Sequence, residues 1–66
     1  MLITEILYDS AIELTDDASR LFAQAIKAHE EGEDVFGQAL YWEGIGLQDW
    51  ARRLSLMAMM SEPTNN

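Results

Sequence analysis

The sequence predicts an all-α protein, an antiparallel two-helix hairpin that dimerises into a four-helix bundle. Apolar residues recur every three or four positions along two long stretches, which is the period of a helix with one buried side. Gly32 separates the two stretches, and glycine is the residue that most often ends a helix. A chain of 66 residues buries too little surface for high stability, so a second subunit is expected to complete the core.

The first helix, α1, is predicted near residues 3–31. Its apolar positions keep one phase at 100° per residue over the whole span, with charged residues on the opposite side. They are Ile3, Leu7, Ala11, Leu14, Ala18, Leu21, Ala25 and Ala28. Thr15 followed by Asp16 and Asp17 would also suit the start of a new helix. We therefore expect one continuous helix, with a break near residue 15 as the alternative.

The second helix, α2, is predicted near residues 34–60, with Asp34 as its N-terminal cap. A short connection makes the two helices antiparallel. The predicted seam of α2 toward α1 is Phe36, Leu40, Glu43, Leu47, Trp50, Leu54 and Met57, in which Glu43 is the one residue that does not fit an apolar seam. Residues 1–60 form one domain, and the polar segment 61–66 is expected to be a disordered tail.

Two glycines interrupt the second helix. Gly44 and Gly46 each cost about 1 kcal/mol in a helix interior relative to alanine. The cost is offset if another backbone comes close at that point, because glycine has no side chain. We expect a continuous helix with a tight crossing there, and a kink at 44–46 is the alternative.

The back of α2, away from the predicted seam, is also apolar. A helix that is apolar nearly all round should be buried on more than one side. The predicted contact residues are Tyr41, Trp42, Ile45, Gly46, Leu56 and Met59, with Met60 beside them. A second copy of the chain would cover them in a homodimer, and a different protein or a small molecule between the helices are the alternatives.

The outer face of α1 is acidic. The chain has twelve acidic and four basic residues and a net charge of −8, which disfavours direct binding to nucleic acid or to anionic membranes. Glu5, Asp9, Glu13, Asp16 and Asp17 follow one another along this face. They are either a solvated surface or a row of charges that imitates nucleic-acid phosphates and binds a basic groove of a protein partner.

The residues needed for chemistry are scarce. With no cysteine and one histidine, the sequence offers no nucleophile with a neighbouring base and no set of metal ligands, so we predict no catalytic residues, no metal site, no cofactor and no enzymatic activity. It contains no signal peptide and no apolar run of the roughly 18 residues that span a membrane, so a cytoplasmic location is expected.

These observations predict a small acidic protein-binding module or inhibitor that acts by occupying a protein partner. In size, charge and shape the chain is similar to phage- and plasmid-encoded inhibitors and regulators, although no motif matches such a family residue for residue. The first alternative is an adaptor homodimer that docks partners through the apolar back of α2. The second is a helical bundle that binds a ligand or a metal.

Overall fold

The chain folds as an antiparallel hairpin of two long helices. The computed structural model describes residues 2–62, and within them it contains two helices and no strand. Helix α1 runs from Ile3 to Glu30 and helix α2 from Asp34 to Ser61, each with 28 residues. The predicted hairpin is thus confirmed. The four-helix bundle requires a second chain and stays a prediction. Ser61, predicted to begin the tail, closes α2, and residues 63–66 lie outside the described part.

Both helices are continuous at the two places where the sequence allowed a break as the alternative, near residue 15 and at residues 44–46. Thr15 does not start a new helix; its hydroxyl donates a hydrogen bond of 2.8 Å to the carbonyl oxygen of Ala11 one turn earlier. Helix α2 likewise continues through Gly44 and Gly46. The unbroken phase of the apolar residues therefore predicted continuity correctly, and the local capping pattern at Thr15 was misleading.

The turn closes on Gly32, as predicted. Gly32 has a φ of 84°, a left-handed conformation that glycine adopts without strain. Its N–H donates to the carbonyl of His29 at 3.0 Å, and the N–H of Glu33 donates to the carbonyl of Ala28 at 2.9 Å. These two bonds satisfy carbonyl groups that the end of α1 would otherwise leave free.

Asp34 does not cap α2, contrary to the prediction. The capping position is Glu33, which makes no side-chain hydrogen bond there, and Asp34 is the first helical residue. The carboxylate of Asp34 instead lies beside the His29 ring, with 2.8 Å between Oδ1 and Nδ1. An acid in the first turn still suits the positive end of the helix dipole.

Small residues form the seam between the helices. The buried residues of α1 are Ala11, Ala18, Ala25 and Ala28, and those of α2 are Gly37, Leu40, Gly44, Ala51 and Ala58. In α2 the small residues recur every seven positions and alternate with the leucines at 40, 47 and 54. Such a pattern lets two backbones approach closely. At Gly37 the approach is so close that the Cβ of an alanine would lie only 3.1 Å from the carbonyl oxygen of Ala25.

The predicted seam of α2 was wrong at every second position. Leu40, Leu47 and Leu54 face α1, but Phe36, Glu43, Trp50 and Met57 are exposed. Each of these four immediately precedes a buried small residue. Glu43 is therefore not a buried carboxylate in the hairpin, and the apparent violation of the seam disappears because Gly44 occupies that position.

The resulting core is thin. No large side chain is fully buried in the described residues, and the buried hydrophobic residues are six alanines and Leu40. The hairpin measures 56 × 16 × 12 Å and exposes 5218 Å² of surface. A compact protein of 7.5 kDa would expose about 4,200 Å². The single hairpin thus leaves about 1,000 Å² more surface in water than a compact fold of its mass would.

Candidate protein-docking surface

An apolar groove lies at the end of the hairpin that carries the turn. Phe22 and Ile26 of α1 form one wall, and Val35 and Tyr41 of α2 form the other, around a volume of about 660 Å³. Phe22 and Ile26 are four residues apart and therefore project from the same side of α1. The floor contains Ala25, with Gly37 opposite it, so small seam residues leave room between large wall residues. We call this feature the turn groove.

Aromatic contacts hold one end of the turn groove in shape. The rings of Phe22 and Tyr41 lie 5.6 Å apart across the two helices at an angle of 49°. Tyr41 in turn meets Trp42 edge to face, with ring centres 5.7 Å apart. Tilted and edge-to-face pairs of this kind are favourable aromatic geometries. The end of the turn groove near Tyr41 is thus pre-formed and apolar.

The opposite end of the turn groove is acidic. Glu30 and Asp34 border it, and among the residues that line it only His29, which already contacts Asp34, can carry a positive charge. No lysine or arginine lines it, and Lys27 instead borders a separate depression beside Phe36 and Leu40. The turn groove therefore offers apolar walls with carboxylates at one end.

The predicted apolar face of α2 is exposed but is not one patch. Tyr41, Trp42, Leu56 and Met59 are exposed, and Ile45 is half-buried. Along the helix axis, Leu56 begins about 16 Å beyond Ile45, and Asp49, Arg52 and Arg53 lie between them in sequence. The structure brings Tyr41 to the turn groove and leaves Leu56 and Met59 near the other end of the hairpin. Met60, beside them, is exposed as well.

Gly46 occupies an open position in the single chain. A side chain built there would meet nothing within 4 Å, so the expected close approach is not made within the hairpin. At Gly44, by contrast, the added carbon would lie 2.7 Å from Cε1 of Phe22. Gly44 is thus tightly packed, but against a side chain. The predicted close approach of another backbone is made at Gly37 instead.

Sequence reasoning missed half of the turn groove. The predicted contact residues include Tyr41 but not Phe22, Ile26 or Val35. Ile26 is 61% exposed, but Ile3 and Ile12 of the same helix are exposed to a similar extent, so exposure alone does not distinguish it. The spacing of Phe22 and Ile26, one turn apart and outside the main stripe, was the signal that could have revealed them.

The acidic side chains of α1 are exposed, as the sequence predicts for its outer face. Glu5, Asp9, Glu13, Asp16 and Asp17 all lie on the surface. Asp17 makes an ion pair of 2.8 Å with Arg20, and the other four have no ion-pair partner among residues 2–62. Five exposed acids in thirteen residues give this side of α1 a strongly negative potential.

A separate contact joins the two ends of the described chain. The hydroxyl of Tyr8 donates a hydrogen bond of 2.9 Å to Oε1 of Glu62. This bond, with smaller effects of desolvation and of the Glu62 charge, raises the pKa of Tyr8 above its usual value of 10.0. It fastens the last turn of α2 to the first turns of α1.

Two further features, a metal-binding cluster and a membrane-spanning helix, are absent from the described residues. Among residues 2–62, no three side chains of histidine, aspartate or glutamate come together in a way that could hold a metal ion. Neither of the two described helices combines the length and the apolar character that crossing a membrane requires.

Comparison with known proteins adds no assignment. The sequence matches no protein-family model, no curated protein and no solved structure. The proposals that follow therefore rest on the geometry and charge of the hairpin itself.

Proposed function

We propose that this chain is a protein-binding module, rather than an enzyme, that acts by occupying a protein partner. The observation that carries the proposal is the thin core, which contains no fully buried large side chain while large apolar side chains line the outside. Burial of Ile26, which is 61% exposed, would alone contribute roughly 1.5 kcal/mol. A partner that covers several such residues would supply the stability that the hairpin lacks.

A second copy of the chain is one partner of this kind. Two hairpins packed through the outer face of α2 would form a four-helix bundle and cover Trp42, which is 64% exposed. The extra surface of about 1,000 Å² compares with the roughly 800 Å² that each subunit of a stable complex buries. Area and shape thus support a homodimer, and the charge of −8 on each copy opposes any arrangement that brings acids together.

The acidic face of α1 supports a second form of the same function. Glu5, Asp9, Glu13 and Asp16 are exposed and could compete with nucleic acid for a basic groove, so that the chain would act as an inhibitor. An acidic face that is merely solvated would have the same exposed carboxylates, so exposure does not distinguish it from a binding surface. The turn groove, by contrast, has a concave apolar shape as well as charge. We therefore favour an apolar contact and treat charge mimicry as the alternative.

Thermal unfolding at several protein concentrations tests the proposal, together with the molar mass in solution. We expect either a melting temperature that rises with concentration, because association stabilises the folded chain, or a weakly stable monomer that a bound partner stabilises. A monomer with a high melting temperature that neither concentration nor any partner changes would contradict the proposal.

Salt and one substitution separate the two kinds of contact. Binding through the acidic face should weaken steeply as salt is added. Binding through the outer face of α2 should survive salt and be lost in Trp42→Ala. Retention of binding in Trp42→Ala, with a strong salt dependence that Glu13→Gln on the acidic face reduces, would favour charge mimicry.

A further inference from the structure

We infer that the turn groove binds one amphipathic helix of a partner protein whose apolar stripe is flanked by lysine or arginine. The inference rests on the proposed protein-binding function and specifies the site and the chemistry of the partner. It combines three observations: a pre-formed apolar trough, an acidic end, and the poor electrostatic match of a second copy to the same site.

The shape of the turn groove suits a helix. Its walls are Phe22 and Ile26 on one side and Val35 and Tyr41 on the other, with a floor at Ala25. From Phe22 to Glu30 the groove follows α1 for about 12 Å, or roughly two helical turns. Side chains three or four residues apart on a helix are spaced to fill such a trough, which is how amphipathic helices dock into apolar grooves.

The charge of the turn groove selects the residues beside the stripe. Glu30 and Asp34 stand at one end, and neither lysine nor arginine lines the groove. A partner cation placed there would meet the carboxylate of Glu30 and that of Asp34, the latter 2.8 Å from Nδ1 of His29, on a chain whose net charge is −8. Opposite charges at the rim accelerate encounter and favour one orientation of the bound helix.

A second copy of the chain fits this site poorly. In a two-fold pair with antiparallel helices, Met59 of one copy can enter the turn groove of the other only if Glu62, one turn further on, lies near Asp34. In a parallel pair, Asp34 and Glu30 would face their own equivalents. Both of these arrangements bring like charges together at the edge of an apolar contact, which is unfavourable. A register that sets Arg53 of the second copy beside Asp34 avoids that local clash, but it still joins two chains that each carry a net charge of −8. A foreign helix with basic flanks avoids this repulsion.

The test uses the full chain and synthetic helical peptides as probes. One peptide carries leucines along a single helical stripe with lysines beside them, a second has glutamate in place of each lysine, and a third is a scrambled version of the first. Calorimetric titration should show binding of the lysine peptide, with an affinity at least about tenfold above those of the other two, a difference of 1.4 kcal/mol.

Matched variants locate the site on the hairpin. Ile26→Ser should weaken binding of the lysine peptide by about tenfold, because one wall of the turn groove is lost. Ile6→Ser is the control, since Ile6 is also an exposed isoleucine of α1 but lies about 200° around the helix from Ile26. Glu30→Gln should weaken the lysine peptide severalfold and reduce the effect of salt, while Glu13→Gln on the outer face should do neither. Circular dichroism checks that each variant keeps its helices.

Three results would overturn the inference. Equal effects of Ile26→Ser and Ile6→Ser would remove the turn groove as the site, and equal affinity for the lysine and glutamate peptides would remove the basic partner. If the peptides do not bind but Ile26→Ser abolishes dimerisation, the occupant is a second copy; the inference is then wrong and the proposed function stands. A different result would contradict the proposed function itself. That result is a stable monomer whose melting temperature changes neither with protein concentration nor with an added partner.

Discussion

Gly44 of α2 lies against the ring of Phe22 of α1, so close that a methyl group at Gly44 would come within 2.7 Å of Cε1 and 2.9 Å of Cδ1. The ring of Phe22 is in turn packed against Tyr41, with 5.6 Å between ring centres. The glycine therefore sets how deeply Phe22 can sit between the helices. Because Phe22 is a wall of the turn groove, a seam glycine and the candidate site are mechanically linked.

We predict that Gly44→Ala and Gly46→Ala change stability in opposite directions. Alanine favours the helix by about 1 kcal/mol at either position. At Gly44 the new methyl group must displace the Phe22 ring, and overpacking of this kind costs about 1–3 kcal/mol, so the free energy of unfolding should fall by up to about 2 kcal/mol. At Gly46 nothing lies within 4 Å, so it should rise by about 1 kcal/mol.

Urea unfolding followed by circular dichroism measures both variants, and each serves as the control for the other. Equal stabilisation by the two substitutions would show that Phe22 moves aside without cost. A destabilised Gly46→Ala variant would have a different meaning, since the space around Gly46 would then be filled by a second chain. Its sedimentation at several concentrations would show whether self-association is what was lost.

The hairpin followed from the sequence because it depends on coarse features. The continuous helical phase predicts the two helices, Gly32 predicts the turn, and the short connection predicts their antiparallel arrangement. None of these predictions depends on which side of each helix is buried. Which side of α2 is buried depends on a shift of a single residue, from Phe36 to Gly37 and from Glu43 to Gly44. Size-based reasoning preferred the large residues, although the close approach of the helices requires the small ones.

The candidate site was less predictable, because it combines residues from two helices. Tyr41 was recognised on α2, but its neighbours Phe22 and Ile26 come from α1, and the pairing depends on which residues of the two helices lie opposite each other. Tyr41 and Trp50 lie on opposite edges of the buried side of α2. Placing Trp50 in the seam would have turned Tyr41 away from α1 and from the turn groove. Trp50 is in fact 52% exposed, and Ala51 takes its place. An error of one residue was enough to hide the turn groove.

Gly32→Ala should destabilise the hairpin through backbone strain alone. Gly32 has a φ of 84° and nothing within 4 Å of the position of an added side chain, so no steric clash contributes. A left-handed conformation costs an alanine about 1–2 kcal/mol, and the free energy of unfolding should fall by a similar amount. For a chain of this length, each kilocalorie lowers the melting temperature by roughly 4–8 °C.

Gly32→Asn is the matched control for this effect. Asparagine accepts the left-handed conformation more readily than alanine and is found at the same position of other helix ends. The melting temperature of Gly32→Asn should therefore lie between those of the wild type and Gly32→Ala. Identical melting temperatures for all three proteins would mean that the turn does not need a positive φ.

The hydrogen bond from Tyr8 to Glu62 predicts a pH dependence at the open end of the hairpin. In the folded chain the bond to Glu62, desolvation and the Glu62 charge together raise the pKa of Tyr8 above 10.0. A folded-state pKa that is higher than the unfolded one means that folding favours the protonated phenol. The contribution of this contact is thus fully present below pH 10.0 and is lost as the pH rises through the elevated pKa.

Titration of tyrosine absorbance in a Tyr41→Phe background measures Tyr8 alone, since the chain has two tyrosines. Adding Glu62→Gln removes the negative charge and should lower the pKa of Tyr8 toward its usual value. A pKa that Glu62→Gln leaves unchanged would show that the two side chains do not meet in solution.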